Sequence, residues 1–300
     1  MNKYIFPIYR IIVPKPLRTI ILKNSLRKKI LALYTSLPNG KVNDDQKEVL
    51  KYLESNPVRI FPYLFHDNYS PDKIEVLYDQ EKGMRYVIQE GKRLYFKRRW
   101  GVKRIRQAYS DLCREQDINS PHRYLTDSFT ITSDDVLADI GAAEGNFSLS
   151  VIDSVKKLYL FEYDREWDEA LRATFAPWAE KVEIINKYVA DFNDSSHIAL
   201  DDFYAQKKDL TFLKIDVDGA ESIVLNSCNK IFNSGTPFKV ALCTYHKNDD
   251  EEDFTALLKR HGFSVTPSKG YMINYYDKKL RSPYLRRGLV RAIRLAKQMS

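Results

Sequence analysis

The stretch VLADIGAAEGNFSLS, residues 136–150, runs from a hydrophobic strand through a loop with two glycines and into a helix. Gly141 and Gly145 allow a tight turn and bring the backbone close to a ligand. Their spacing is D-x-G-x-x-x-G, which differs from the G-x-G-x-x-G of a dinucleotide site. A pyrophosphate site would use a second glycine and an open helix N-terminus. Ala142, Ala143 and Glu144 stand there instead, and the acid favours a cationic or zwitterionic ligand. Asp139, at the strand end, either meets that ligand or fixes the loop.

The second strand ends LYLFEYD, which places Glu162 twenty-one residues after Gly141. A carboxylate at that distance suits the two hydroxyls of a ribose. Tyr163 beside it can cover an adenine face. Asp191, after the third strand in VADF, can accept from the adenine amino group. A ribose and an adenine without a phosphate describe S-adenosylmethionine.

A second constellation lies in LKIDVDGAE, which closes the fourth strand. Asp218 and Glu221 have capping-box spacing for the helix that follows. Asp216 precedes the cap and falls at the switch point of the sheet, where it can bind the ammonium of a methionine moiety or orient an acceptor. The fifth strand, FKVALCTYH, delivers His246 to the same edge. An unperturbed imidazole takes up a proton near neutral pH, so His246 is the expected base, with Asp216 and Glu221 next in line. Asn248 and Glu251 read as a capping box. His66, His122, His197 and His261 have no partner at metal or triad spacing and read as structural.

The segments DIGAAEGNFSL, YLFEYD, VAD and FLKIDVDGAESIVL together resemble the FkbM-type S-adenosylmethionine-dependent methyltransferases, over roughly residues 130–276. The resemblance implies methyl transfer to a hydroxyl of a sugar, glycan or secondary metabolite. Asp218 stands where that family usually has glutamate, which weakens any transfer of a catalytic role to position 218.

Elements must position these groups. Strands are expected at 136–139, 157–161, 182–186, 210–215, 238–244, 263–266 and 271–276. Helices are expected near 146–155, 165–175, 196–207, 221–230 and 250–260. This alternation predicts an α/β, Rossmann-like, seven-stranded, mostly parallel sheet with helices on both faces. A short turn at 267–270 makes the last strand antiparallel. Residues 128–276 form the expected methyltransferase domain. Residues 1–127 form a small α+β region with a basic amphipathic start and a β-meander over 72–100, whose basic run, Lys97 to Arg106, is expected to help choose the acceptor. Residues 277–300 read as a basic amphipathic helical tail, with Leu285, Leu289, Ile293 and Ala296 on one face.

The totals narrow the partners. Of the 300 residues, 44% are hydrophobic and 29% charged, as in a globular chain. Residues 1–43 carry nine basic and no acidic residues, and 278–300 carry eight and none. The middle therefore holds 31 basic against all 40 acidic residues, a net of −9. A nucleic-acid enzyme would concentrate positive charge at its cleft, so no nucleic acid is expected. Basic ends suit an anionic membrane surface touched peripherally, or the acidic body itself. Three cysteines without C-x-x-C spacing point to a reducing, cytoplasmic setting. Two other readings stay open. D-x-D matches the metal-binding motif of sugar-nucleotide transferases, and Asp216 and His246 could share an ion, although no resident metal is assigned. A non-catalytic, membrane-associated scaffold could also keep this fold.

Overall fold

The computed structural model describes residues 14–38 and 40–296. Of the basic start expected over residues 1–43, residues 1–13 and 39 lie outside them. Helices α1 (Lys15–Thr35) and α2 (Asp44–Ser55) open the described chain. Leu26, Ile30 and Tyr34 of α1 recur every fourth residue and are buried against Val49 and Leu53 of α2. Asn43 and Gln46 cap α2 reciprocally, each side chain accepting from the other's backbone N–H at 2.9 Å.

The meander forms as expected. Strands β1 (Leu77–Asp79), β2 (Met84–Gln89) and β3 (Lys92–Tyr95) pair antiparallel in order, and α3 (Val102–Glu115) follows. Four residues of the basic run after β3 are engaged within the protein. Lys97 pairs with Asp164 and Glu166, Arg98 with Glu169, and Arg99 with Glu166. Arg106 Nε donates to the Ile74 carbonyl at 2.9 Å. None of these four residues lines either cavity described below, whereas Lys103 and Arg104 of the same run line a separate one together with Arg106.

The main body is the Rossmann-like α/β sheet. In chain order it comprises β4 (Val136–Ile140), α4 (Asn146–Val151), β5 (Lys157–Phe161), α5 (Asp168–Phe175), β6 (Val182–Ile185), the short pair β7 (Tyr188–Ala190) and β8 (His197–Ala199), and α6 (Leu200–Gln206). It continues with β9 (Phe212–Ile215), α7 (Glu221–Asn226), α8 (Asn229–Asn233), β10 (Phe238–Cys243), α9 (Asp250–Arg260), β11 (Ser264–Pro267) and β12 (Leu289–Arg294). The sheet order is β11-β12-β10-β9-β4-β5-β6, and β12 is antiparallel to both neighbours. Every residue of β4 and β9 is buried, because hydrophobic clusters cover both faces of the sheet. The chain proceeds outward from β4 to β6 and then returns to β9 on the other side of β4. The switch point therefore lies between the carboxyl ends of β4 and β9.

Two sequence expectations fail at the C-terminus. Residues 271–276 form no strand. Tyr271, Met272 and Ile273 instead pack into the cluster under α1 and α2, joined by Leu285. The seventh strand is β12, inside the stretch read as an amphipathic helix. Leu289, Val290 and Ala292 are fully buried there. Its arginines bond backbone carbonyls: Arg291 Nε reaches Tyr124 O and Arg294 Nε reaches Thr236 O, both at 2.9 Å. Alternate burial in a strand and four-residue spacing on a helix share Leu289 and Ile293, so the helical period misled. No described helix is long and apolar enough to cross a membrane.

Candidate functional site

The glycine loop is locked from below. Asp139 Oδ1 lies 2.8 Å from Lys214 Nζ, and Asp139 Oδ2 accepts from Ser148 Oγ at 2.7 Å. Lys214 Nζ also donates to the Gly141 carbonyl at 2.8 Å. Burial alone would lower the lysine pKa, but Asp139 and Asp216 outweigh it and hold Lys214 above its ordinary range. Asp139 is 1% exposed, so it fixes the loop and does not touch a ligand. Gly141, at φ 80°, is required by space as well as by conformation: a Cβ there would stand 2.0 Å from the Asp216 carbonyl oxygen.

The loop's own amides are already used. Gly141 N and Ala142 N donate to the Phe161 carbonyl at 2.9 and 3.1 Å, and Gly145 N donates to Ala142 O at 2.8 Å. Ala143 N donates to Glu162 Oε2 at 2.8 Å, while Glu162 Oε1 accepts from Asp164 N at 2.7 Å. A pyrophosphate needs such amides free. This loop presents its glycine edge without them.

Above the loop is a cavity of about 490 Å³ lined by Gly141, Ala143, Glu162, Tyr163, Asp216 and Tyr245, among others. Glu115 at the end of α3 closes one side, and Lys187, Tyr188 and Val189 close another. Four carboxylates, Glu115, Glu162, Asp216 and Asp218, thus face one lysine, Lys187, which favours a ligand with positive charge. Tyr163 stacks on Tyr188 at 3.4 Å between ring centroids, both half exposed at the cavity rim. The cavity takes Gly141, Glu162, Tyr163 and Asp216 of the expected cofactor set.

Ala142, Glu144, Gly145 and Asp191 are not among its lining residues. Ala142 is buried, and Gly145 caps α4 at φ 80° against Phe175. Glu144 is also buried beneath the loop. Its carboxyl is pushed up to about 8, chiefly by burial and further by Glu115. It therefore does not offer a surface charge to a ligand. Asp191 is exposed beyond the end of β7, past Tyr188 and Val189, through which that strand lines the cavity. The expected adenine contact by Asp191 is corrected accordingly.

A second cavity, about 820 Å³, adjoins the first and shares Asp218 and Tyr245 with it. His246 lines it, as do Lys247, Lys278 and Lys279. Asp216 stands at the junction. Its Oδ2 accepts from Tyr124 Oη at 2.8 Å and lies 3.4 Å from His122 Nε2. Burial opposes its ionisation, but His122, Lys214 and His246 hold the carboxyl well below the usual range. His246 Nε2 lies 3.9 Å from Asp216 Oδ1 and 3.6 Å from Asp218 Oδ1, and Nδ1 lies 2.9 Å from Glu221 Oε1.

Burial lowers the His246 pKa, yet Asp218, Glu221 and Asp216 together raise it to about 10. The expectation of a neutral imidazole ready to accept a proton is not met. Nor does the expected capping box form. Ala220 is the N-cap of α7 without a side-chain cap, and Glu221 Oε1 accepts from Val217 N at 3.1 Å and Gly219 N at 3.2 Å. Asp218 projects into solvent at φ 51°. Asp249, not Asn248, is the N-cap of α9, again without a side-chain cap. Asn248 Oδ1 accepts from Arg286 Nε at 2.9 Å instead.

The sequence left several members of this site unassigned. Lys214 carries a signal, because a lysine inside a fully apolar strand needs a buried partner. His122, read as structural for want of a partner nearby in sequence, meets Asp216 only through the fold. Glu115, Tyr124 and Tyr188 likewise arrive from segments whose relation to the sheet is tertiary.

No family model and no curated protein sequence matches the chain. Several solved structures are similar to it at low identity. Methyltransferase FkbM from Methylobacillus flagellatus is 15% identical, with a TM-score of 0.44 over 64% of this chain and 54% of that one. This chain thus spans about half of that protein's length. An rRNA methylase from Streptococcus thermophilus is 14% identical, with a TM-score of 0.38 over 55% and 89%. A Streptococcus mutans protein solved in complex with SAH is 13% identical, with a TM-score of 0.33 over 55% and 91%.

Proposed function

We propose that the chain is an S-adenosylmethionine-dependent methyltransferase of the FkbM type, acting on a hydroxyl of a sugar, glycan or secondary metabolite. The observation that carries this reading is the pair of adjoining cavities. One is built by Gly141 and Glu162 for a nucleoside, the other is open to an acceptor, and Asp216 and His246 stand where they meet. The adjacency of β4, β9 and β10 supplies that meeting point.

Glu162 is held by two backbone donors and lines the nucleoside cavity, which suits the ribose hydroxyls. The used amides of the loop disfavour a diphosphate, and with it the dinucleotide and sugar-nucleotide readings. Glu115 and Asp216 suit the positive charges of a sulfonium and an ammonium. S-adenosylmethionine supplies a methyl group already activated for displacement. The protein must then align acceptor and methyl and exclude competing water. The acceptor oxygen gains the methyl carbon, the carbon–sulfur electron pair stays on sulfur, and the hydroxyl proton leaves to water.

Lys247, Lys278 and Lys279 are exposed on the acceptor cavity and form no ion pair among the described residues, while Arg281 and Arg286 there are paired with Asp249 and Asp277. Three available ammonium groups favour an acceptor with carboxylate or phosphate groups. Transfer of labelled methyl from S-adenosylmethionine to phosphorylated, acidic and neutral sugars tests this reading. Saturable transfer, strongest to the acidic ones, is expected. Cofactor binding with no transfer to any acceptor would support the non-catalytic scaffold instead.

A further inference from the structure

Where the two cavities meet, buried polar atoms lack hydrogen-bond partners. Glu221 is fully buried and its Oε2 has none. Both ring nitrogens of His246 also lack one, and that side chain is only 10% exposed. The 2.9 Å approach of Nδ1 to Glu221 Oε1 is thus not a well-aligned hydrogen bond, and Oε1 already accepts from two backbone amides. Asp216 directs Oδ2 to Tyr124 and leaves Oδ1 toward His246. Native proteins rarely leave such groups unsatisfied, and a bound ion is one reason when they do.

We propose that Asp216, Glu221 and His246 hold a divalent cation at this junction. One donor atom from each lies within 4.8 Å of the other two, which places a single ion within reach of all three after small side-chain adjustment. Two carboxylates and an imidazole, which gives up a ring proton to the solvent when it coordinates, suit a hard or borderline ion such as Mg²⁺, Mn²⁺ or Zn²⁺. Asp216 is braced for the task by Tyr124 and His122, and Glu221 by the backbone of residues 217–219. Three protein donors leave coordination positions for oxygens of the acceptor. An ion there makes a bound hydroxyl more acidic and orients it. The site itself stands on its own geometry; only this role in transfer rests on the methyltransferase reading.

The test uses the full chain and Mn²⁺ as the probe. Mn²⁺ uptake is followed by electron paramagnetic resonance, and binding of S-adenosylhomocysteine is measured separately by calorimetry. The wild-type chain is expected to take up one Mn²⁺, with affinity reduced more than ~10-fold in Glu221→Gln and in His246→Ala. If either variant fails to fold, as judged by its melting transition, His246→Gln carries the comparison. Absence of saturable Mn²⁺ uptake by folded wild type, or equal uptake by wild type and variants, overturns the cation site. Mn²⁺ uptake without S-adenosylhomocysteine binding would leave the cation site standing and remove the methyltransferase reading.

Discussion

Lys214 Nζ lies 2.8 Å from Asp139 Oδ1, with side chains only 5% and 1% exposed, directly under the glycine loop. The pair joins the two central strands at the switch point. Lys214→Met would leave the Asp139 carboxylate buried without its cation. A loss of ~3–5 kcal/mol in unfolding free energy is expected, the usual cost of breaking a buried pair. Urea denaturation checks it. Adding Asp139→Asn to Lys214→Met should recover part of the loss, because the orphaned charge is then gone.

Gly141 separates strain from collision. Both Gly141 and Gly91 have positive φ, 80° and 78°, but a Cβ at Gly91 meets nothing within 4 Å. Gly91→Ala should therefore cost only the conformational term, roughly 1 kcal/mol. Gly141→Ala must also displace the Asp216 carbonyl. It should melt well below Gly91→Ala and lose S-adenosylhomocysteine affinity, whereas equal melting temperatures would contradict the crowding.

The sheet was legible in the sequence as far as β10, because β4, β5, β9 and β10 are apolar runs with one charged residue each, ended by Gly141, Glu162, Asp216 and the TYH of residues 244–246. Glu162 could be placed by counting along a β-α-β unit. What failed depended on tertiary placement. Asp191 follows a strand as expected, but that strand leaves the main sheet. The side chains of Leu289 and Ile293 are spaced for either a helix face or a strand. Only insertion between β10 and β11 decides between the two.

That insertion yields its own prediction. A chain ending at residue 288 would lose β12, which pairs with β10 from Phe238 to Cys243 and with β11 from Ser264 to Pro267. It should show no cooperative melting transition and should collect in the insoluble fraction. A surface tail removed at the same point would leave the transition unchanged.

Glu144 should make stability fall with rising pH. Its carboxyl titrates at 4.5 in an ordinary setting and is pushed up to about 8 by burial in the fold. The folded state thus binds the extra proton between those values. Its contribution is complete below about 4.5 and is lost as pH rises through about 8. Unfolding midpoints at pH 5 and pH 8.5 check this. Glu144→Gln, which carries no titrating proton, should flatten the difference, and an unchanged pH dependence in that variant would remove Glu144 as its source.

On the reading proposed above, the cavity over the glycine loop binds S-adenosylmethionine through Glu162. The most direct measurement is calorimetric titration of the full chain with S-adenosylhomocysteine, NAD and a sugar nucleotide, for wild type and Glu162→Ala. Saturable binding of S-adenosylhomocysteine alone is predicted, weakened by ~1–3 kcal/mol in the variant, the usual cost of losing a charged hydrogen-bonding group. Binding of NAD or the sugar nucleotide in preference, or S-adenosylhomocysteine affinity unchanged by the substitution, would contradict it.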